Sequence, residues 1–208
     1  MTDAVTGTGP HVVSYGYAFP AGWGSWTPGH GVDAVAAELA TTLADTDDGR
    51  ALVRRSVPAV NADALRKGAS MRLAVWVPDR TTGEVVAIMD LGIRGFPGDA
   101  TPEAHLARDV GRDLGRRARL MEYAARRATL PAGEATIEQY VLRLRGERQV
   151  QGYLMFQVFP PGAGEAVQLV FNTVHLTLLN AVAEQARVIA DSLTVTLGEI
   201  PGGRRTVR

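Results

Sequence analysis

The second half of the chain alternates apolar and polar residues in a pattern typical of β-strands. Short turns rich in glycine and proline, such as Pro131-Ala132-Gly133, separate four such segments. Period-two alternation between turn signals predicts strands, and short connections make consecutive strands pair antiparallel. The four predicted strands cover residues 120–130, 135–144, 149–159 and 167–176.

The first half of the chain combines shorter strands with helical periodicity. Residues 11–19 alternate aromatic and small side chains and predict a short strand. Apolar residues at helical spacing predict a helix over residues 32–44. The apolar runs 71–77 and 84–93 flank a polar turn, and together they predict a β-hairpin.

Two shorter elements are predicted between the first helix and the hairpin. Residues 50–57 predict a strand that ends at Pro58, because proline interrupts the hydrogen bonds between strands. Asn61 is a residue type that caps helices, so it predicts the start of a short helix that runs to Lys67.

Two further helices complete the predicted fold. Thr101, followed by Pro102 and Glu103, is a strong helix start and predicts a helix to about Arg117. Residues 178–193 predict a final helix with one apolar face. Locally paired strands with helices grouped between them indicate an α+β fold, an antiparallel sheet of about six to seven strands with helices packed on it.

The predicted domain organisation has one globular unit. Residues 1–10 are small, polar and glycine-rich, and are expected to form a flexible N-terminal arm. Residues 11–197 are expected to form a single α+β domain, and residues 198–208 a flexible C-terminal tail.

The composition excludes several classes of protein. The 208 residues include 22 basic and 22 acidic side chains, for a formal net charge of +0, and no cysteine. Balanced charge argues against nucleic acid as the main partner, and the lack of cysteine excludes disulfides, thiol nucleophiles and cysteine-ligated metals. The sequence shows neither a secretory signal nor an apolar stretch long enough for membrane insertion, so the expected location is cytoplasmic.

The common catalytic and cofactor motifs are absent from the sequence. The chain has no Gly-x-Ser-x-Gly motif and no phosphate-binding loop, and its four histidines are far apart in the sequence. We therefore predict no catalytic residue, no cofactor and no metal site, and we expect the protein not to be an enzyme.

A glycine-rich loop at residues 20–31 carries two tryptophans, Trp23 and Trp26, and no formal charge. Tryptophan buries a large area at low entropic cost, which makes both residues candidates for binding a partner protein. The competing interpretation, which the residue type favours, is that both rings fold back over the core.

An arginine stripe is a second candidate surface for a partner protein. On a helix, Arg108, Arg112 and Arg116 lie four residues apart along one face. Residues 108–127 contain seven arginines and three acidic residues, which gives this segment a net charge of +4. Such a stripe fits an acidic partner, and a solvated helix face is the competing interpretation.

Several short motifs are similar to those of a known superfamily. They are Phe19-Pro20-Ala21-Gly22-Trp23, Leu130-Pro131-Ala132-Gly133, and the segments 150–156, 169–173 and 186–193. With them the chain resembles an uncharacterised actinobacterial branch of the PsbP-like superfamily, which includes LpqN-type lipoproteins and eukaryotic Ran-binding proteins. The resemblance implies an antiparallel sheet between helices, a non-enzymatic role in binding other proteins and, for some relatives, a link to type VII secretion. The chain lacks the lipoproteins' cysteine, so membrane anchoring is not implied.

Three functional hypotheses follow from these observations. The leading hypothesis is a non-catalytic module that binds another protein, as an accessory to a secretion or assembly system. The second is a small-molecule-binding protein or an enzyme, with a pocket between sheet and helices near Tyr15, Tyr17 and His30. The third is a self-assembling structural subunit.

Overall fold

The computed structural model describes residues 10–68, 70–95, 101–107, 118–146 and 148–199. In chain order, its elements are β1 (His11–Gly16), β2 (Trp23–Trp26), α1 (Val32–Leu43), α2 (Asp47–Lys67), β3 (Arg72–Trp76), β4 (Ala87–Gly95), α3 (Pro102–Leu106), β5 (Ala118–Leu130), β6 (Gly133–Leu144), β7 (Val150–Phe159), β8 (Glu165–Thr173), a 3-10 turn (Leu176–Leu178), α4 (Leu179–Asp191) and β9 (Thr194–Gly198).

The strands form one large sheet and one small ribbon. Seven of the described strands follow the order β2-β3-β4-β8-β7-β6-β5, and each neighbouring pair runs antiparallel. Strands β1 and β9 pair with each other, also antiparallel. This arrangement confirms the predicted α+β fold. The short turns along the second half of the chain explain why β5, β6, β7 and β8 are neighbours in sequence order.

Apolar side chains cover both faces of the large sheet. On one side, which we call the α4 face, Leu169 and Phe171 are buried against a cluster that includes Ile189 of α4. On the opposite side, the α1–α2 face, Val75 packs in a cluster with Val57 of α2. Full burial of such a side chain is worth about 1.5–3 kcal/mol, so these two layers stabilise the fold.

Residues 47–67 form one helix, α2, so the predicted strand at 50–57 and the short helix from Asn61 are wrong. The helix begins at Thr46, whose hydroxyl oxygen accepts a hydrogen bond from the Gly49 backbone N–H at 3.1 Å. Helix α2 then continues past the proline that was expected to end a strand.

The burial pattern of α2 explains why the helix continues through Pro58. Val53, Val57 and Ala64 are buried four and seven residues apart, which is helical spacing. Proline in a helix interior removes one backbone hydrogen bond. The buried face lies on both sides of Pro58, and its packing outweighs that loss.

The two remaining predicted helices are present. Helix α3 begins as expected, since the Thr101 hydroxyl accepts a hydrogen bond from the Ala104 backbone N–H at 3.2 Å. The expected continuation of this helix to Arg117 lies outside the described residues. Helix α4 covers Leu179–Asp191, within the predicted range of 178–193.

The strand after α4 is not among the predicted elements. Leu193, Val195 and Leu197 alternate with polar residues, and the last two pack against the core on the α4 face. This short alternation is a strand signal of five residues, and it becomes stable by pairing with β1. Strand β9 ends at Gly198, the first residue of the predicted tail.

Candidate functional site

The two tryptophans of the glycine-rich loop lie on β2 and point to opposite faces of the sheet. Trp23 is 7% exposed on the α4 face. Its ring stacks with Phe19 and Trp76 at centroid distances of 5.7 and 6.2 Å. The indole N–H of Trp23 donates a hydrogen bond to Oε1 of Gln185 at 3.3 Å. The structure therefore shows Trp23 packed in the core, and a role in partner binding stays a prediction.

Trp26 is packed on the α1–α2 face, with 4% of its surface exposed. Its indole N–H donates to Oδ1 of Asn61 at 3.2 Å. The same oxygen accepts a hydrogen bond from the Gly29 backbone N–H at 3.1 Å, and the Asn61 amide donates to the Gly29 carbonyl at 3.0 Å. Asn61 thus ties the glycine-rich loop to α2, and a role of Trp26 in partner binding also stays a prediction.

The structure describes all three side chains that were proposed to line a pocket, Tyr15, Tyr17 and His30, and the pocket itself stays a prediction. Tyr15 and Tyr17 stack on each other at 6.1 Å and extend the aromatic row towards Phe19. Burial raises the pKa of both tyrosines above its ordinary value, and the charge of Arg72 opposes this rise. His30 is exposed on the loop that Asn61 holds.

A buried polar cluster lies on the α1–α2 face, over the strands that neither α1 nor α2 covers. Thr136 of β6 pairs with Gln157 of β7, and Gln157 pairs with Gln168 of β8. The Gln168 amide donates to Oε1 of Gln157 at 2.9 Å, and Arg94 donates to Oε1 of Gln168 at 3.2 Å. Thr136 and Gln157 are both fully buried, although Thr136 Oγ1 and Gln157 Nε2 make no hydrogen bond.

Helix α3 places a histidine above this polar row. His105 forms a hydrogen-bonded contact with Oε1 of Glu138, and its ring lies 6.0 Å from Phe159. The second carboxylate oxygen of Glu138 accepts a hydrogen bond from the Tyr123 hydroxyl at 3.0 Å. The side chains of His105 and Glu138 are 1% and 2% exposed, so this pair is closed to a substrate in solution.

The strand pattern of β6 does not reveal this cluster. In β6, Thr136, Glu138 and Tyr140 occupy alternate positions, a pattern that is normally interpreted as the solvated face of a strand. The available signal was that the next two strands also carry polar residues, Gln157 and Gln168, on the matching face, which places a polar row at the centre of a sheet. Among the described residues, no three His, Asp or Glu side chains gather as a metal site.

An arginine–leucine corner lies at the end of the sheet where β6 turns into β7. Arg119 of β5 pairs directly with Arg143 of β6, and both are exposed. Neither makes an ion pair with an acidic side chain in the described ranges. Arg145 and Arg148, in the β6–β7 turn, are also exposed. The corner therefore carries four arginines that form no ion pair with the acidic side chains of the described residues.

Three exposed apolar residues lie at the same end of the sheet as these arginines. Val174, Leu176 and Leu178 keep 39%, 39% and 37% of their surface exposed. The 3-10 turn packs over Gly152 of β7, where a Cβ would approach Leu176 Cδ2 to 3.2 Å. Gly152 is two residues from Val150, the pairing partner of Arg143, so the leucines and the arginines share one end of the sheet.

The outer edge of β5 is a separate exposed feature. All residues from 121 to 127 are exposed in succession, so the side chains on both faces of this strand reach solvent. β5 is the last strand of the sheet order, and no strand in the described part of the chain pairs with its outer side. A bulge between Leu120 and Glu122 interrupts its otherwise regular pairing with β6.

The predicted arginine stripe falls in a gap of the described residues. Arg108, Arg112 and Arg116 all lie within 108–117, which the structure does not describe. Their role stays a prediction that rests on the sequence. In the sequence, the same arginine-rich segment leads directly to Arg119 at the arginine–leucine corner.

These features define an α+β protein in which a seven-stranded antiparallel sheet has helices on both faces, and two solved structures are similar to it. LpqN of Mycobacterium tuberculosis, a protein involved in cell envelope biogenesis, is 14% identical, with a TM-score of 0.51 over 92% of this chain and 87% of that chain. The cyanobacterial PsbP protein CyanoP of Synechocystis sp. PCC 6803 is 13% identical, with a TM-score of 0.43 over 94% and 98%. The likeness to LpqN shows that the chain has an LpqN-like fold, as the resemblance of its sequence motifs implied.

The other comparisons add no relative. No known family matches the chain, and no curated protein matches it by sequence. The helices that the structure describes do not include one with both the length and the apolar composition needed to cross a membrane.

Proposed function

We propose that the protein is a non-catalytic module that binds another protein, one with an acidic surface, through the arginine–leucine corner. The observation that carries this proposal is the direct pairing of Arg119 with Arg143 beside three exposed apolar residues. Both features lie outside the two buried cores.

The charge of the corner is unfavourable in the isolated protein. Like charges that face each other across two strands destabilise a sheet, by up to about 1 kcal/mol per pair. An acidic surface docked against Arg119 and Arg143 would reverse the sign of this contribution. It would also set the orientation of the partner, since complementary charge mainly provides specificity and a faster association rate.

The apolar residues of the corner supply the part of the surface that excludes water. Val174, Leu176 and Leu178 are exposed and close in sequence, and Leu176 packs over Gly152 at the end of the sheet that carries the arginines. A central apolar area with a polar rim is the usual composition of a protein–protein interface. Exposed apolar residues that cluster in this way mark interaction sites more often than isolated ones do.

The proposal also includes the arginine stripe and the accessory role that were predicted from the sequence. Arg108, Arg112 and Arg116 would extend the basic surface, because their segment leads into Arg119. An accessory role in a secretion or assembly system is supported by the fold shared with LpqN, which is involved in cell envelope biogenesis. The proposed cytoplasmic location rests on the sequence alone.

The test compares variants of the corner with a matched control. The tagged protein is used to capture proteins from its own host, and the captured partner is then purified and its affinity measured. We expect Arg143→Glu and Leu178→Ser each to weaken binding by about tenfold or more, whereas Arg54→Glu, at an exposed arginine of α2, leaves it unchanged. Binding that is equally strong in Arg143→Glu and Arg54→Glu would refute the proposed surface.

A further inference from the structure

Strand β5 offers an open edge whose charges complement those of a second copy of itself. Its residues 121–127 are exposed in succession, and no described strand covers its outer side. An edge strand presents unpaired backbone N–H and C=O groups, which can pair with another strand. Ala124 and Ala125, at the middle of this segment, carry small side chains that leave the backbone open to close approach.

Two opposite charges flank Ala124 at equal distances. Glu122 and Arg126 point to the same face of the sheet as Ala124, because their pairing partners Val141, Gln139 and Ile137 alternate regularly on β6. Neither Glu122 nor Arg126 forms an ion pair with any residue that the structure describes. Four residues of strand span about 13 Å, so the two charges are too far apart to pair with each other.

Two copies of β5 related by a two-fold axis would bring these charges together. In such an antiparallel pair, residues on the same face oppose each other, and the residue on the axis opposes its own copy. With Ala124 on the axis, Glu122 faces Arg126 of the second copy, and Arg126 faces Glu122 of the second copy. The symmetric pair thus contains two ion pairs around a small central residue.

The neighbouring registers do not have this complementarity. With Ala125 on the axis, Arg126 would face Ala124 and Glu122 would face Ala128. With Arg126 on the axis, two arginines would face each other, which is unfavourable. The charge pattern therefore selects the register centred on Ala124.

We propose that the protein forms a two-fold dimer in which β5 pairs with β5 of a second copy across Ala124. This inference goes beyond the proposed function, because the arginine–leucine corner plays no part in it. The bulge between Leu120 and Glu122 limits the regular ladder to residues 122–126 of each copy. A ladder of five residues buries less surface than a permanent dimer does, so the dimer dissociates on dilution.

The experiment is a charge-reversal cycle read by sedimentation equilibrium. The full-length protein is measured over a wide concentration series, together with Glu122→Arg, Arg126→Glu and the double variant that carries both changes. Each single variant turns both ion pairs of the dimer into pairs of like charges. We therefore expect its dimer dissociation constant to rise by about tenfold or more. The double variant restores both ion pairs, so we expect its dissociation constant to return to within about threefold of the starting value.

The controls separate this proposal from a general effect of charge and from the proposed function. Arg148→Glu removes an exposed arginine of the β6–β7 turn and should leave the dimer unchanged. Circular dichroism confirms that each variant is folded. A wild-type protein that stays monomeric throughout the series overturns the proposal, as does a dimer that the single reversals do not weaken. A double variant that stays as weak as the single ones also overturns it, because the register would then be wrong.

Discussion

Asn61 joins two parts of the molecule through one buried amide. Its oxygen accepts hydrogen bonds from the Trp26 indole and the Gly29 backbone, and its nitrogen donates to the Gly29 carbonyl. The side chain is 4% exposed, so water is a poor substitute for any of these partners. The sequence alone predicts Asn61 as a helix cap, because asparagine is a residue type that often caps helices.

Removal of this amide should destabilise the protein without changing its surface. We expect Asn61→Ala to lower the free energy of unfolding by about 2–3 kcal/mol, because the indole N–H of Trp26 would stay buried without an acceptor. Urea unfolding followed by tryptophan fluorescence measures this difference. Arg54→Ala, on the exposed side of the same helix, serves as the control and should change stability by less than about 0.5 kcal/mol. Equal stability of the two variants would show that Asn61 does not hold the loop.

At the scale of secondary structure, most elements could be predicted, whereas α2, β2 and β9 could not. Strands β5 to β8 alternate over nine or more residues between clear turns, and each was predicted. Helix α2 was missed because Pro58 and β-branched Val53 and Val57 suggest a strand locally. The buried positions of α2 are spaced for a helix. This spacing favours a helix over a strand because the sheet packs against the buried side chains. The buried polar cluster could not be predicted either, because the pattern of a strand does not show that a short helix, here α3, covers its polar face.

Pro58 destabilises α2, because it lies in the interior of the helix. Proline in a helix interior lacks the N–H that would bond four residues back, and the unfavourable effect is about 3 kcal/mol. We therefore expect Pro58→Ala to raise the free energy of unfolding by about 1–3 kcal/mol, the lower value allowing for lost contacts of the ring. Thermal unfolding followed by circular dichroism at 222 nm gives the measurement. A variant that is less stable than the wild type would show that the proline ring itself packs in place of the lost hydrogen bond.

At the scale of the whole molecule, the two proposed surfaces should influence each other only weakly at physiological salt. Glu122 pairs with Val141 and Arg119 pairs with Arg143, so the bulge leaves the two positions only two β6 residues apart, about 7 Å, and the Debye length at physiological ionic strength is about 8 Å. Salt therefore weakens the influence of one surface on the other, and a lower ionic strength strengthens it. We expect Arg143→Glu to change the dimer dissociation constant by no more than about threefold at physiological salt, and Glu122→Arg to change the affinity for the acidic partner equally little. Sedimentation equilibrium and a binding titration, each carried out on both variants at two salt concentrations, measure the four values. If Glu122→Arg abolishes partner binding as well as dimerisation, the partner binds only the dimer, and the corner and the β5 edge form one continuous surface.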